Sequence, residues 1–404
     1  MADWNTEGTE NNTRKNAEKT MKDINVALIG YKFMGKAHSY AYSTVGKIFS
    51  DCPTPRMKVI CGRDRAGAEA MASRFGWESV ETSWERVLER KDVDAVDIST
   101  PGHLHKTIAV AAAKAGKHVL CEKPLGNTGD EAKEMLEAAI RAKIVHGVVF
   151  NYRRVPAIML AKRMIEDGRL GKIYHFRARY LQDWIVDPQF PRVWRLDKSQ
   201  AGSGTLGDLG AHIVDLCRYL VGEVNEVTAL LETFIKERPL PAADQGAWGS
   251  TTGGGMAPVT VDDCALFLGK LDGGAVGSFE VTRFALGRKN HNTLEINGSK
   301  GSLVFDLERL NELQYYSQDD APDARGFRTI FATEGGQHAY VDNWWPPGHM
   351  IGWEHTQTHT IYEFLKAVAK GEPPEPNFHD GYRNNMILDA VEKSAASGKW
   401  ERTG

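Results

Sequence analysis

The sequence predicts two fold classes in one chain: a doubly wound, parallel α/β sheet, followed by an α+β unit with a large, open-faced, mainly antiparallel sheet. Over residues 23–150, short apolar runs alternate with helix-like segments, which is typical of parallel strands joined by right-handed crossovers. From residue 151 the strand candidates are longer and are linked by tight turns. The chain has 404 residues, too many for one ordinary core, so we expect two domains, 23–150 and 151–404.

The first domain is predicted to contain a sheet buried on both faces. Its strand candidates are apolar runs without strict alternation, as expected where helices cover both sides of a parallel sheet. These candidates are 24–29, 57–62, 95–99, 118–121 and 144–149. Helices are predicted over 36–48, 65–75, 104–115 and 128–142.

The second domain is predicted to begin with a helix over 156–167. Strands are predicted over 173–181, 227–234, 265–271, 275–284, 293–296, 302–306 and 313–316, with a helix over 205–221 inserted among them. Two glycine-, proline- and tryptophan-rich stretches, 236–260 and 334–353, are predicted to be long loops, which are usually functional or mobile. Helices over 354–370 and 379–397 complete this domain and are candidates for packing back on the first.

The composition excludes several classes of function. The net charge of −3 gives no electrostatic basis for binding nucleic acid or an anionic membrane, and no apolar run approaches the roughly 20 residues that span a bilayer. The five cysteines are scattered and form no CxxC pair, which favours a reduced, cytoplasmic location. Residues 1–22 are polar and lack the apolar stretch of a signal peptide, so they are predicted to be a disordered tail, with a mis-set start as the alternative.

The turn after the first strand indicates a dinucleotide site. Gly30 and Gly35 open the first helix with the spacing of the Rossmann fingerprint, and the helix start offers free N–H groups to a pyrophosphate. Lys32 stands where the middle glycine usually lies. The predicted contacts in this turn are Gly30, Lys32, Phe33, Met34 and Gly35. The alternative to a dinucleotide site is an ordinary strand-to-helix turn with no ligand.

The end of the second strand bears on the choice of cofactor. A carboxylate there binds the ribose hydroxyls of NAD, whereas an arginine accepts the 2′-phosphate of NADP. The chain offers both, with Asp64 and Arg63 side by side. We expect NAD, with Asp64 on the ribose and Arg63 near the adenine, and NADP is the alternative.

Other strand ends should face the same crevice, because ligands bind outside the carboxyl ends of parallel strands. A surface ion pair is the ordinary alternative for adjacent residues such as Glu122 and Lys123. The predicted cofactor contacts from these ends are Ser99, Thr100, Pro101, His103, His105, Glu122 and Lys123, with Asn151 and Arg153 after the fifth strand.

At these motifs the chain resembles the Gfo/Idh/MocA oxidoreductases. Within that family, the runs Gln182 to Trp184, Val193 to Arg195 and Trp344 to His349 resemble a subgroup of levoglucosan and inositol dehydrogenases, as does the lysine at position 32. The resemblance covers about residues 23–400. The carrying motifs are Gly30 to Gly35, Thr100-Pro101 with His105, Glu122-Lys123-Pro124, the glycine-rich run from Gly204 to Asp215, and Asn297 to Ser302. It implies a Rossmann domain, a large open-faced sheet, NAD(P) between them, and a dimer or tetramer joined through the exposed sheet faces. It also implies that Lys123, Asp208 and His212 act at the nicotinamide.

The three implied residues suit alcohol oxidation. Asp208 and His212 are four apart at the start of a predicted helix, so they share one face, although such a pair is more often a cap or an ion pair. His212 is the natural base and Lys123 can donate to the forming alkoxide or carbonyl oxygen, but Lys123 is the alternative base. Asp208, His212 and Asp215 lack the spacing of a zinc site, so no metal is expected.

The aromatic residues indicate a polar, ring-shaped substrate. Ten tryptophans is a generous number for this length, and aromatic faces pack against the C–H surfaces of sugars. About half of the tryptophans are expected to be structural. Besides Lys123, Asp208 and His212, the predicted substrate contacts are Tyr152, Arg179, Gln182, Trp184, Trp194, Arg195 and His349.

The sequence therefore favours an NAD-dependent oxidoreductase that acts on one secondary hydroxyl of a cyclic sugar or polyol, such as an anhydrosugar, an inositol or a glycoside at C3. An oxidoreductive glycoside-cleaving enzyme that works through a transient keto-sugar is the alternative. A non-catalytic sensor is a third reading, against which the intact Lys123, Asp208 and His212 argue. The residues leave open which sugar, which carbon and which direction.

Overall fold

The computed structural model describes residues 23–242 and 252–404. The first domain contains one parallel sheet of six strands, in the order β3-β2-β1-β4-β5-β6. The strands are β1 Ile24–Ile29, β2 Pro55–Cys61, β3 Val80–Glu81, β4 Ala95–Ile98, β5 His118–Cys121 and β6 His146–Val148. The direction of winding reverses between β1 and β4, which creates the crevice where ligands bind in such sheets.

Helices connect these strands on both faces of the sheet. They are α1 Phe33–Ile48, α2 Arg65–Phe75, α3 Trp84–Glu89, α4 His105–Lys114 and α5 Gly129–Ala142. Gly76 ends α2 in the left-handed conformation, and the Thr128 side chain caps α5 by accepting from the Glu131 N–H. α1 begins three residues before the predicted start, so Phe33, Met34 and Gly35 form its first turn.

The second domain contains a sheet of nine strands, in the order β16-β15-β14-β13-β7-β12-β11-β8-β17. Its strands are β7 Ile173–Leu181, β8 Val224–Glu232, β11 Cys264–Leu271, β12 Val276–Thr282, β13 His291–Gly298, β14 Gly301–Asp306, β15 Glu312–Ser317, β16 Arg328–Phe331 and β17 Glu401–Arg402. Within this sheet only β7 and β12 pair in parallel, so the predicted fold class is confirmed for both parts of the chain.

One face of the large sheet is covered and the other is open. The helices α6 Pro156–Glu166, α8 Ala211–Leu220 and α10 Phe378–Ser397 pack against the covered face. Along β7, Phe176 and Tyr180 point inward, whereas Arg177 and Arg179 are exposed on the outer face, as the two-residue period of a strand requires.

Two predicted elements differ from the structure. The predicted helix 205–221 begins instead as a wider π-helical turn, Leu206–Gly210, and becomes α8 after it. The predicted loop 236–260 contains an antiparallel strand pair, β9 Glu237–Pro241 and β10 Thr252–Pro258. Its glycines and prolines suggested a loop, but both strands pair only with each other, outside the main sheets. The middle of this stretch, 243–251, and the predicted tail 1–22 lie outside the described residues.

The helix α9, Trp353–Lys370, packs on the first domain although it lies within residues 151–404, the second domain. Its Ile361, Phe364 and Leu365 share a buried cluster with Leu28 of β1, and the ring of Tyr362 stacks on Phe49 with centroids 4.2 Å apart. Through α9 the parallel sheet obtains part of its core from a distant segment. The second domain also contains a short helix, α7 Lys198–Ala201. Within the described ranges, no helix is long and apolar enough to span a membrane.

Candidate active site

The turn between β1 and α1 is shaped for a dinucleotide. Gly30 has a φ of +109°, and a Cβ there would lie 2.6 Å from the Ser99 carbonyl oxygen. A Cβ on Gly35 would lie 2.2 Å from the Gly30 carbonyl oxygen. The Lys32 side chain makes no cap hydrogen bond to the helix that it precedes. Tight glycine packing at a strand-to-helix turn fits a pyrophosphate.

The predicted ribose site at the end of β2 contains a residue that sequence reasoning missed. The Tyr31 hydroxyl donates to Asp64 Oδ2 over 3.1 Å. The Tyr31 ring packs so closely on Gly62 and Gly67 that a Cβ on Gly62 would lie 2.2 Å from it. Asp64 and Arg63 are both exposed, so the Asp64 carboxylate is accessible to ribose hydroxyls.

His105 holds two strand ends together rather than facing solvent. Its ring nitrogens lie 2.9 Å from the Thr100 carbonyl oxygen and 3.0 Å from that of Pro124, and the Ser99 hydroxyl donates to the Gly30 carbonyl over 3.0 Å. Burial lowers the pKa of His105. Both ring nitrogens are therefore engaged by the backbone, and the cofactor contact of His105 stays a prediction, whereas His103 is exposed beside it.

Glu122 belongs to a buried network and not to a surface ion pair. Its Oε1 lies 3.2 Å from His38 Nε2, and its Oε2 accepts the Lys123 backbone N–H over 3.0 Å. On the other side of the imidazole, His38 Nδ1 lies 3.0 Å from both carboxylate oxygens of Asp97. Sequence reasoning missed His38 and Asp97, because each lies within an otherwise ordinary helix or strand.

Asp208 is the centre of a cluster of cations. Its Oδ1 accepts from Lys123 Nζ over 3.0 Å and from Arg195 Nη1 over 3.1 Å, and its Oδ2 accepts from Arg283 Nη2 over 2.7 Å. Lys123 Nζ also donates to the Asp208 backbone oxygen over 2.7 Å. Burial alone would raise the pKa of Asp208, but the charges of Arg195, Lys123 and Arg283 outweigh burial and hold it well below its ordinary range. Asp208 is therefore ionised, and Arg283 is a site residue that the sequence did not reveal.

His212 faces an aromatic wall one helical turn from Asp208. Its ring centroid lies 4.5 Å from that of Tyr152 and 5.9 Å from that of Tyr180. Burial, and then the positive charge of Lys123, lower its pKa well below the ordinary value, so the imidazole is neutral at neutral pH. Its Nδ1 is buried with no hydrogen-bond partner among the described residues. A neutral imidazole has one ring nitrogen without a proton, so it is able to accept one.

A chain of hydrogen bonds extends from this wall. The Tyr152 and Tyr180 hydroxyls lie 2.9 Å apart, and Tyr180 donates to Asn290 Oδ1 over 2.6 Å. Asn290 Oδ1 also accepts from Gln182 Nε2, and Gln182 Oε1 accepts from Trp184 Nε1. The predicted residues Tyr152, Gln182 and Trp184 are thus connected. Tyr180 and Asn290 were missed, although a two-residue period counted back from Gln182 would have selected Tyr180.

Two tryptophans pack on the arginines that bind Asp208. The Arg195 guanidinium lies 4.7 Å from the centroid of the Trp194 ring, and that of Arg283 lies 5.1 Å from the Trp184 ring. Since Arg195 and Arg283 both bind Asp208, the predicted Trp184, Trp194 and Arg195 are brought together around one carboxylate.

Four other predicted contacts lie elsewhere or are engaged elsewhere. Arg179 is on the outer face of β7, opposite Tyr180, so the structure does not bring it to the residues around Asp208. Arg153 is buried and binds both oxygens of Asp215, and its cofactor contact stays a prediction. The Asn151 amide donates to Thr356 of α9 over 2.8 Å. His349 is exposed in the loop 334–353, and its substrate role stays a prediction.

One three-residue group in the described part of the chain has the composition of a metal site. His291, Asp306 and Glu308 bring ligand atoms within 4.8 Å of one another. Arg288 Nη1, however, lies 3.5 Å from His291 Nδ1 and places a positive charge against the nitrogen that would bind the ion. We assign no metal to this group.

Known proteins place the chain in a family. Residues 24–150 match the oxidoreductase family with an NAD-binding Rossmann fold, and residues 158–304 match the GFO/IDH/MocA C-terminal domain. The chain is 47% identical over 384 residues to the levoglucosan dehydrogenase of Pseudarthrobacter phenanthrenivorans, covering 94% of this chain and 98% of the relative. It belongs to the GFO/IDH/MocA oxidoreductases.

Solved structures of this family agree with that assignment. An oxidoreductase domain protein from Kribbella flavida is 50% identical, with a TM-score of 0.89, over 95% of this chain and all of that one. A levoglucosan dehydrogenase in complex with NADH and levoglucosan is 46% identical, with a TM-score of 0.89, over 94% of this chain and 99% of that one. The myo-inositol 2-dehydrogenase of Thermotoga maritima is 26% identical over 80% of this chain and 84% of its own length. The GFO/IDH/MocA chain described here is thus an NAD-binding oxidoreductase whose relatives are sugar and polyol dehydrogenases.

Proposed function

We propose that this protein is an NAD-dependent dehydrogenase that oxidises one secondary hydroxyl of a cyclic sugar, with levoglucosan and similar anhydrosugars as the preferred class. The observation that carries the proposal is the convergence of Lys123, ionised Asp208 and neutral His212 at one place. The identity of 47% over almost the whole of a levoglucosan dehydrogenase supports the substrate class.

Each residue has a defined task in this proposal. NAD, bound at the β1–α1 turn, supplies the hydride acceptor. The Lys123 ammonium has three protons and uses two of its bonds on Asp208, so one remains for the oxygen of the substrate. Charge that forms on this oxygen is stabilised by the ammonium, because it is held in place before the reaction.

His212 takes the hydroxyl proton. Its neutral state is required of a base, and acid–base assistance of this type is worth about 10²–10⁴-fold in rate. Asp208 holds Lys123 and Arg195 in their positions from a single oxygen. Trp184 and Trp194 offer aromatic faces to the C–H surface of a sugar ring, with Gln182 beside them for its hydroxyl groups.

The proposal is tested by following NADH absorbance with NAD and a panel of levoglucosan, myo-inositol and simple glycosides. Net reduction of NAD by levoglucosan, with weaker reduction by the others, is the expected result. Release of an aglycone without net reduction would contradict the dehydrogenase proposal and support oxidoreductive cleavage. No reaction with any sugar, despite NADH binding, would contradict both.

Replacing Lys123 tests its task directly. Lys123→Ala is expected to abolish turnover and to leave NAD affinity near that of the wild type, because the ammonium contacts Asp208 and not the β1–α1 turn. Lys117→Ala is the matched control, since Lys117 Nζ also donates to two carbonyl oxygens, those of Arg90 and Val93. The control is expected to lose stability and keep its turnover. Unchanged turnover in Lys123→Ala would remove Lys123 from the mechanism.

A further inference from the structure

A buried histidine on the cofactor helix contacts the turn that carries Lys123. His38 lies in α1 and is fully buried. Its imidazole bridges Asp97 of β4 and Glu122, which follows β5. The three side chains therefore join α1 to two neighbouring strands of the parallel sheet.

We propose that His38 is a positioning residue, which fixes Lys123 for catalysis by holding Glu122. This inference rests on the proposed function of Lys123. The path is short: His38 Nε2 holds one oxygen of Glu122, and the other oxygen accepts the backbone N–H of Lys123. The side chain of Lys123 leaves this fixed peptide and reaches Asp208.

The charges around His38 explain why a histidine is needed. Two carboxylates buried so close to one another would repel strongly in a medium of low dielectric constant. Burial works to lower the pKa of His38, but Asp97 and Glu122 outweigh it and raise the pKa to about 10. The imidazole is therefore a cation with a donor on each side. A neutral imidazole has one N–H and a glutamine amide has one NH₂ group, so neither keeps a donor toward Asp97 and Glu122 on opposite sides together with the positive charge.

The same helix begins at the dinucleotide turn. Gly35 lies in the first turn of α1, and His38 follows it by one helical turn. The network thus sets the distance between the cofactor helix and the turn of Lys123. Misplacement of a reacting group by about 1 Å costs on the order of 10²-fold in rate, so small movements of Glu122 are expected to matter.

The experiment compares three variants of the full-length protein with one control. His38→Gln, Glu122→Gln and the double variant are assayed for kcat and KM with NAD and levoglucosan. His146→Gln is the control, because His146 is also buried in the first domain and its Nδ1 accepts a backbone N–H, that of Phe378. We expect His38→Gln to lower kcat by about 10²-fold with little change in the KM for NAD. The control is expected to lose thermal stability alone.

The double variant separates positioning from a general structural role. If His38 acts through Glu122, the two substitutions share one effect, and the double variant loses no more kcat than the worse single variant. If the losses in kcat multiply, His38 acts by another route and the proposal is overturned. A loss of stability in His38→Gln with unchanged kcat would overturn it as well.

A crystal structure of His38→Gln tests the positioning role independently of any activity measurement. In the wild type Lys123 Nζ lies 2.7 Å from the Asp208 backbone oxygen, and the variant is expected to lose this contact. Lys123 found unmoved would overturn the positioning role. If the wild type oxidises no sugar of the panel, the proposed function fails, but this comparison still decides whether His38 positions the lysine.

Discussion

Neutralising Asp208 is the perturbation that most directly tests the active site. Asp208→Asn keeps the shape of the side chain and removes one negative charge from among three cations. An amide group has only one carbonyl oxygen. In one orientation its NH₂ group faces Arg283, and in the other it faces Lys123 and Arg195, so at least one donor meets another donor.

The magnitude follows from these contacts. A hydrogen bond to a charged group contributes about 1.5–3 kcal/mol, and at least one is lost. Lys123 and Arg195 contact Oδ1 over 3.0 and 3.1 Å, and the attraction of a unit charge at this distance, about 5.5 kcal/mol at an effective dielectric constant of about 20, is lost as well. If about 3 kcal/mol of the lost interaction energy is a loss of transition-state stabilisation, kcat/KM falls by about 10²-fold.

The assay measures kcat, KM and thermal stability for Asp208→Asn beside Asp215→Asn. Asp215 also binds an arginine through both oxygens, but its partner Arg153 is not one of the three cations that bind Asp208. Both variants are expected to be less stable, and only Asp208→Asn is expected to lose turnover. If Asp208→Asn keeps its kcat while Asp215→Asn is destabilised to the same extent, the charge at residue 208 has no part in catalysis.

Three further predictions concern the cofactor, the acid response and the assembly. Gly35→Ala places a Cβ 2.2 Å from a carbonyl oxygen, so NADH affinity measured by fluorescence titration is expected to fall by more than about tenfold, or about 1.4 kcal/mol. His359 Nε2 accepts from the Trp344 indole and its ring is neutral, because burial lowers its pKa to about 3. The unfolded chain then binds more protons than the folded chain below about pH 6.5. The free energy of unfolding, measured with urea, is therefore expected to fall by up to about 1.4 kcal/mol for each pH unit below this value, and His359→Gln is expected to remove this part of the pH dependence. Leu268 is 51% exposed on the outer face of the large sheet, and Leu268→Asp is expected to dissociate the dimer or tetramer predicted from sequence, as seen by light scattering.

Each of these predictions has a matched control. Gly46 lies in the same helix as Gly35, and a Cβ there would meet only Pro55 at 3.9 Å, so Gly46→Ala is expected to leave NADH affinity unchanged. His379 is exposed, and His379→Gln should leave the pH slope intact. Ile140 is 59% exposed on α5, and Ile140→Asp should leave the mass of the assembly, measured by light scattering, unchanged. Equal effects in variant and control would contradict the corresponding prediction.

Local patterns in the sequence predicted most of the fold. The strands β1 and β5 begin and end where the apolar runs do, because a strand buried on both faces must be apolar throughout. The strands β3 and β17 were missed, since two residues are too few to show a period. The pair β9 and β10 was missed because glycine and proline dominate it.

The site was harder to predict, because its parts come from distant positions. Lys123, Asp208 and His212 stand in recognisable motifs. Arg283 lies just beyond β12 with no motif around it, and only the fold brings it to Asp208. The misplacement of Arg179 has a local cause: neighbouring strand residues point to opposite faces, and the prediction chose the residue beside Tyr180.

The packing of α9 on β1 has a consequence for how the molecule is made and re-engineered. Residues 23–150 are synthesised well before Ile361, Phe364 and Leu365. Until α9 has been made, the apolar surface of the first domain that it covers is therefore exposed to solvent. A chimaera that transfers residues 23–150 to another protein has to include α9 as well, or other apolar residues that pack on Leu28 and Val45.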